Sequence, residues 1–172
     1  MAIVFVVFIV VALFGANLVT FTVNEVEQVV VTQFGQPRNV ITEPGLYFKL
    51  PAPIQKVTVF DKRLLDYDSD ADPIYTKDKK ILLLDNYARW RIVDALQFMQ
   101  ALRTENEAQA RLDDIIYSEL RKELGQHELA EVIATNREAI MDTVTVRAAT
   151  AALVYGIEIV DVRVKRADLP PE

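Results

Sequence analysis

The first 24 residues of this chain carry no charged side chain, and this stretch constrains the fold more than any later feature. Eleven of the twelve positions from Ile3 to Phe14 are isoleucine, valine, leucine or phenylalanine. Such residues favour insertion into a bilayer by about 3 to 7 kcal/mol in total. The sequence therefore predicts a transmembrane anchor over residues 1–24, with the lipid bilayer as a partner. Its membrane-contacting residues are Ile3, Val4, Phe5, Val6, Val7, Phe8, Ile9, Val10, Val11, Leu13 and Phe14.

Two other interpretations of the apolar stretch compete with an uncleaved anchor. Its strictly apolar core has the length of the central region of a secretory signal peptide, and a buried core helix is the third alternative. No lysine or arginine precedes the stretch, and bulky Phe14 stands two residues before Ala16, where a cleavage site needs a small residue. These features favour the anchor. The flanking charges do not predict its orientation, because only Arg38 follows soon after it.

The composition of the chain excludes several classes of function. Its formal net charge is −6, and lysine and arginine do not cluster, which argues against a nucleic acid partner. The absence of cysteine excludes a disulfide framework, a thiolate zinc site and a cysteine nucleophile.

The hydrophobic periodicity predicts an α+β fold after the anchor. Alternate residues from Leu82 to Ile92 are mostly apolar, which predicts a strand with one buried face and makes Trp90 a core residue. At Asp94 the period changes to that of helices, so we predict a β-rich subdomain at 25–93 and an α/β subdomain at 94–172. The final strand alternates again, with Val160, Val162 and Val164 predicted on one face and Asp161, Arg163 and Lys165 on the other.

No constellation of residues predicts catalysis, a metal or a cofactor. The single histidine lies in His127-Glu128-Leu129-Ala130-Glu131, which lacks the second imidazole of a zinc protease motif. Neither Ser69 nor Ser118 lies in a nucleophile-elbow sequence that could use His127 as a base. The alternating aspartates from Asp66 to Asp72 fail the register of a calcium loop and are interpreted as a solvated acidic segment.

Seven segments form an ordered set of motifs that covers nearly the whole chain after the anchor. They are Thr42–Pro51 (TEPGLYFKLP), Val57–Arg63, Thr76–Lys80 (TKDKK), Tyr87–Asp94 (YARWRIVD), Leu120–Gly125 (LRKELG), Gly156–Lys165 (GIEIVDVRVK) and Leu169–Pro170. Together they resemble the stomatin/prohibitin/flotillin (SPFH, or band 7) family. The resemblance implies an antiparallel-rich sheet with packed helices. It also implies a long charged helix after the Leu-Pro motif, which we expect to be missing here because the sequence stops at Glu172.

The same resemblance implies a non-enzymatic, N-terminally anchored scaffold without a cofactor. Bacterial relatives of this kind form large hetero-oligomers with a homologous family member and modulate a membrane-embedded ATP-dependent protease. The resemblance to these relatives implies a single-pass protein of the bacterial inner membrane, with most of the chain in the periplasm. The alternative within the family is a stomatin-like organiser of lipids or channels. Charges on the sheet are candidate subunit-interface residues, or they simply solvate the sheet: Arg89, Arg91, Asp161, Arg163 and Lys165.

Overall fold

The computed structural model describes residues 19–168 and all of their side chains except those of residues 134–135 and 166–168. The chain divides into two compact units, Met1–Arg63 and Leu64–Glu172. The predicted anchor residues, Ile3 to Phe14, and the Leu169–Pro170 motif lie outside the described residues. Over residues 19–168, no helix combines the length and the apolar character that crossing a membrane requires.

Within residues 20–63, the first unit contains five antiparallel strands. They are β1 (Thr20–Val23), β2 (Glu27–Gln33), β3 (Gln36–Ile41), β4 (Gly45–Phe48) and β5 (Gln55–Asp61). Strands β1 and β4 pair with each other, while β2 lies between β3 and β5 in a three-stranded sheet. Four consecutive residues of β2, from Gln28 to Val31, are buried. The core of this unit contains Val23, Val29 and Val31, with Phe21, Ile41, Tyr47 and Val57 packed against them.

A two-residue turn joins β2 to β3. Gln33 pairs with Gln36, so Phe34 and Gly35 form the turn, and both have positive φ angles, of 51° and 83°. Two left-handed residues match the twist of an antiparallel hairpin, and glycine adopts this conformation without strain. Gln36 and Pro37 therefore begin a strand, and Pro37 lies on a sheet edge, where its missing N–H is tolerated.

The second unit combines a four-stranded antiparallel sheet with three α-helices. The strands are β6 (Leu65–Asp68), β7 (Asp72–Tyr75), β8 (Ile81–Ile92) and β9 (Ile157–Asp168). The helices are α1 (Ala95–Ala101), α2 (Glu105–Leu124) and α3 (Arg137–Ala152), with a π-helical turn at Glu131–Thr135 and a 3₁₀ turn at Leu153–Tyr155. Strands β6 and β7 pair with successive parts of β8, and β9 pairs with it along its length. Strand β8 is thus the central element of this unit.

Side-chain caps start the first two helices where the sequence changes period. The Asp94 carboxylate accepts hydrogen bonds from the backbone N–H groups of Leu96 and Gln97, at 2.9 and 3.0 Å. The Thr104 hydroxyl accepts one from the N–H of Glu107, at 3.3 Å. Each bond satisfies a backbone donor that the first helical turn leaves without an intrahelical partner. The change from strand to helical period predicted at Asp94 is confirmed.

The predicted alternation of β8 is also confirmed. Its buried residues are Leu82, Leu84, Asn86, Ala88, Trp90 and Ile92. Trp90 is 1 % exposed, and its ring stacks on Phe98 of α1, with centroids 6.4 Å apart. The apolar stripe of α2 supplies further core residues, among them Leu112, Ile116 and Leu120. The α+β class predicted from the sequence is therefore correct.

The predicted faces of β9 are partly wrong because the strand contains irregularities. Trp90 pairs with Ile159 and Arg89 with Asp161, so Val160 is an extra residue between two register positions. An extra residue of this kind shifts the alternation of the strand. Val160 is consequently 43 % exposed, while Ile159 and Val162 are buried.

The division of the chain falls between Arg63 and Leu64, upstream of the subdomain boundary predicted at 93/94. Strand β8, which lies before Asp94, and strand β9, which lies after it, pair from Leu83 to Ile92 of β8. Residues on both sides of 93/94 therefore contribute to one sheet, although the local change from strand to helix occurs there as expected.

Candidate subunit interface on the outer face of the β8–β9 ladder

The candidate interface residues lie together on β8 and β9. Because alternate residues of β8 are buried, Arg89 and Arg91 project from the opposite side of the strand, and each side chain is 48 % exposed. Asp161 pairs with Arg89 in the strand register, and Glu158 pairs with Arg91. We call this set the outer face. It comprises Arg89, Arg91, Glu158, Asp161, Arg163 and Lys165.

Each arginine of β8 has a carboxylate partner directly across the ladder. Arg91 Nε lies 2.5 Å from Glu158 Oε2, and Arg89 Nη2 lies 3.8 Å from Asp161 Oδ2. Opposite charges at directly paired positions of antiparallel strands stabilise the pairing by a fraction of a kcal/mol. The sequence patterns located the arginines but missed Glu158, because its position opposite Arg91 depends on the irregular register of β9.

The cations of β9 are paired as well. Arg163 Nε lies 3.0 Å from Asp161 Oδ1, and Arg163 Nη1 lies 3.9 Å from Asp142 Oδ1 of α3. The Lys165 ammonium donates to the carboxylate of Asp68 on β6. Hydrogen bonding to Asp161 raises the pKa of Arg163, and hydrogen bonding to Asp68 raises the pKa of Lys165. Both groups are therefore charged at neutral pH.

The four cations of the outer face are thus matched by four carboxylates, two within the outer face (Glu158 and Asp161) and two on neighbouring elements (Asp68 on β6 and Asp142 on α3). With no excess of either sign, it is suited to recognise a neighbour through matched positions rather than to attract a strongly charged ligand over a distance. Because these charged side chains already form ion pairs within the chain, the same arrangement is also compatible with a sheet face that contacts only water. The candidate interface remains a prediction.

The strength of the Arg91–Glu158 pair is open to direct measurement. We expect a double-mutant cycle with Arg91→Ala and Glu158→Ala to give a coupling energy of about 0.5 kcal/mol, because both side chains are substantially exposed. Urea denaturation of the four proteins measures this quantity. A coupling energy above about 2 kcal/mol would contradict a solvent-screened pair and indicate a desolvated one.

A separate acidic groove in the second unit contains the aspartates that the sequence analysis interpreted as a solvated segment. The groove has a volume of about 650 Å³ and is lined by Asp66, Asp68, Asp70, Asp72, Asp113, Tyr67, Ser69 and Tyr117, among others. Several of its carboxylates have protein partners: Asp72 pairs with Arg121 at 2.7 Å, and Asp113 accepts from the Tyr67 hydroxyl. Burial, and secondly the Asp113 carboxylate, raise the pKa of Tyr67, which keeps that hydroxyl a donor. In the described part of the chain, no group of acidic or histidine side chains is arranged to hold a metal ion.

The residues considered for hydrolytic chemistry have separate surroundings. The His127 ring contacts Glu123 and Glu131, at 3.4 and 3.0 Å. The Ser69 hydroxyl instead donates to the backbone carbonyl of Asn86 and lies 3.3 Å from the Tyr117 hydroxyl. The described contacts therefore do not join Ser69 and His127 as a nucleophile and its base.

Comparison with known proteins defines the class to which this fold belongs. Residues 21–172 match the SPFH domain / Band 7 family. The chain therefore belongs to this family, as the motifs in its sequence predicted.

Within the family, the chain is similar to several proteins named HflC. Protein HflC of Haemophilus influenzae is 35% identical over 140 residues, which cover 77% of this chain and 46% of that protein. Protein HflC of Buchnera aphidicola subsp. Schizaphis graminum is 30% identical over 174 residues, covering 88% and 56%. The Modulator of FtsH protease HflC of Escherichia coli strain K12 is 29% identical over 199 residues, covering 88% and 59%. The chain thus spans about half the length of the relatives it matches.

Proposed function

We propose that this chain is a non-enzymatic, HflC-like membrane scaffold. In this proposal it assembles with a homologue of the HflK type into a large hetero-oligomer and modulates a membrane ATP-dependent protease of the FtsH type. The observation that carries the proposal is the similarity, over 88% of the chain, to a protein named as a modulator of FtsH protease. Membership of the SPFH family supports the scaffold role.

The proposed location is the bacterial inner membrane. The uncharged apolar segment that precedes β1 supports a single membrane pass, and the resemblance to HflC proteins supports a periplasmic position for the rest of the chain. An anchor of this kind would hold every copy at the same height above the bilayer. Lateral packing of identical or homologous domains then needs only matched side surfaces.

The outer face is the proposed contact between neighbouring subunits. Arg89 and Arg91 keep about half of their side-chain surface exposed after pairing within the chain, so their guanidinium groups can make further contacts. Charges at the rim of an interface set the register and choice of partner more than they add affinity. The proposed role of the outer face is therefore specificity in assembly.

Copurification tests the proposal. We expect the tagged chain, expressed with HflK and FtsH and extracted from membranes in mild detergent, to recover both proteins in one large complex. The variant Arg91→Glu/Glu158→Arg keeps the ion pair within the chain. It reverses the sign of the charge at both positions on the surface that would contact a neighbouring subunit. Recovery of HflK by this variant should fall about tenfold, because misplaced like charges cost more than 1 kcal/mol at an interface.

A matched exchange in the first unit serves as the control. Asp61 and Arg63 form an ion pair in the first unit, at 2.6 Å, so the variant Asp61→Arg/Arg63→Asp makes the same kind of change without altering any outer-face residue. It should recover HflK as the parent chain does. Failure of the parent chain to recover HflK or FtsH, together with enrichment of a channel or of sterol-rich membrane, would contradict the proposal and support a stomatin-like organiser.

A further inference from the structure

The single histidine of the chain lies where the segment after α2 is hydrogen-bonded to the β7–β8 turn. His127 follows α2, and its backbone carbonyl accepts a hydrogen bond from the N–H of Lys77, at 2.9 Å, in the β7–β8 turn. The N–H of Leu129 donates to the carboxylate of Asp78 in the same turn, at 3.2 Å. Asp78 is itself bound to Lys80, at 3.2 Å. The backbone around His127 is therefore held to the sheet independently of the histidine ring.

Both nitrogens of the His127 ring face carboxylates. Nδ1 lies 3.0 Å from Glu131 Oε2, and Nε2 lies 3.4 Å from Glu123 Oε1. A neutral imidazole carries only one N–H, so one of these carboxylates would face a nitrogen lone pair. The imidazolium form carries two N–H groups and satisfies both contacts. The geometry therefore matches the protonated ring.

The other charges around the ring are compatible with this protonation state. Glu123 is 8 % exposed, and its second oxygen accepts from Arg147 of α3 at 2.7 Å. Hydrogen bonding to His127, and secondly to the N–H of Glu128, lowers the pKa of Glu131 from its ordinary value of 4.5, and Lys77 acts in the same direction. The stabilisation from Glu131 is thus present above pH 4.5 and is lost as the pH falls through the lowered pKa.

The segment that follows His127 covers an apolar cavity. Glu131 begins the π-helical turn Glu131–Thr135, an uncommon geometry that often marks functional positions in helices. Val132 of this turn is buried, whereas Ile133 is exposed. The turn borders a cavity of about 100 Å³ whose walls include Leu84, Leu124 and Met141. Ile133 and Arg137, which are exposed, also line this cavity, so the turn forms part of its wall at the protein surface.

We propose that His127 is a pH-sensitive latch: in its protonated form it holds the π-helical turn in place beside the apolar cavity, and loss of the proton releases the turn. On deprotonation, either Glu131 or Glu123 faces a nitrogen without a hydrogen. Glu123 keeps its bond to Arg147, whereas Glu131 is an exposed group at the start of the turn. The Glu123 side chain is only 10% exposed and the Glu131 side chain is 45% exposed, so water can replace the ring at Glu131 but not at Glu123. The remaining N–H therefore stays with Glu123, and release occurs on the Glu131 side.

Amide hydrogen exchange on the full chain tests the latch. Protection factors, corrected for the intrinsic effect of pH, are compared at about pH 5.5 and about pH 8, which bracket the usual titration of histidine. In the parent chain we expect protection over residues 131–135 to fall about three- to five-fold at the higher pH, with residues 108–120 of α2 unchanged. The variants His127→Gln and Glu131→Gln should show low protection in this turn at both pH values.

A neighbouring carboxylate provides the matched control. Glu128 is exposed and lies one residue from His127, and the variant Glu128→Gln should retain the pH-dependent loss of the parent chain. Equal protection of the turn at both pH values in the parent chain would overturn the latch. The same pH-dependent loss in His127→Gln or in Glu131→Gln would also overturn it, because the change would then arise elsewhere.

Discussion

Replacing Trp90 with alanine is expected to lower the free energy of unfolding by about 4 kcal/mol, because it empties the centre of the second unit. Trp90 is 1 % exposed on the central strand β8, and its ring stacks on Phe98. The loss combines the transfer free energy of the indole with that of the cavity it leaves. Urea denaturation followed by far-UV circular dichroism measures the effect, since the variant has no tryptophan to report by fluorescence.

The conservative variant Trp90→Phe separates packing from polarity at this site. The indole N–H of Trp90 is buried and has no hydrogen-bond partner among the described residues. A phenylalanine loses some contact area but also removes this unsatisfied donor, so we expect a loss below about 1.5 kcal/mol. A loss below about 1 kcal/mol for Trp90→Ala would contradict the central position of this side chain.

The variant Gly156→Ala is expected to lower the free energy of unfolding by about 3 kcal/mol or more. Gly156 has a φ of 71° between the 3₁₀ turn and β9, and its carbonyl accepts hydrogen bonds from the N–H groups of Val93 and Asp94, at 2.9 and 3.2 Å. A Cβ at this position would lie 2.4 Å from the carbonyl oxygen of Asp94 and 2.9 Å from the backbone nitrogen of Phe98. Both contacts are with backbone, which cannot rotate away as a side chain can.

A second substitution at the same position distinguishes steric overlap from backbone strain. Asparagine tolerates positive φ better than alanine does, but it also carries a Cβ. We therefore expect Gly156→Asn to be as destabilising as Gly156→Ala, when both are measured by chemical denaturation with Trp90 fluorescence. Recovery of most of the stability by asparagine would show that conformational strain dominates and that the close approach to α1 is relieved by small movements.

The sequence predicted the elements of the second unit whose signal is local. The alternation from Leu82 to Ile92 and the change to a helical period at Asp94 each depend on residues within a few positions of one another, and the structure confirms both. The faces of β9 were predicted less well, because the extra residue at Val160 is defined only by pairing with β8. Periodicity in a single segment contains no information about that pairing.

Two other differences have the same physical origin. Strand β3 has no clear local signal, because it is a largely exposed edge strand that is defined by its pairing with β2 across the turn of Phe34 and Gly35. The sequence analysis named Asp161 among the outer-face charges, but it did not identify the partner carboxylates Glu158, Asp68 and Asp142. Arg91 and Glu158 are 67 positions apart, so only the folded ladder brings them together.

Extraction of membranes with alkaline carbonate, followed by mass spectrometry of the N-terminus, tests the proposed membrane scaffold most directly. An uncharged segment with eleven large apolar residues between Ile3 and Phe14 should keep the chain in the membrane pellet, with those residues still attached. Recovery of the chain in the soluble fraction, with the segment removed, would contradict a scaffold that organises its neighbours from a fixed height on the bilayer.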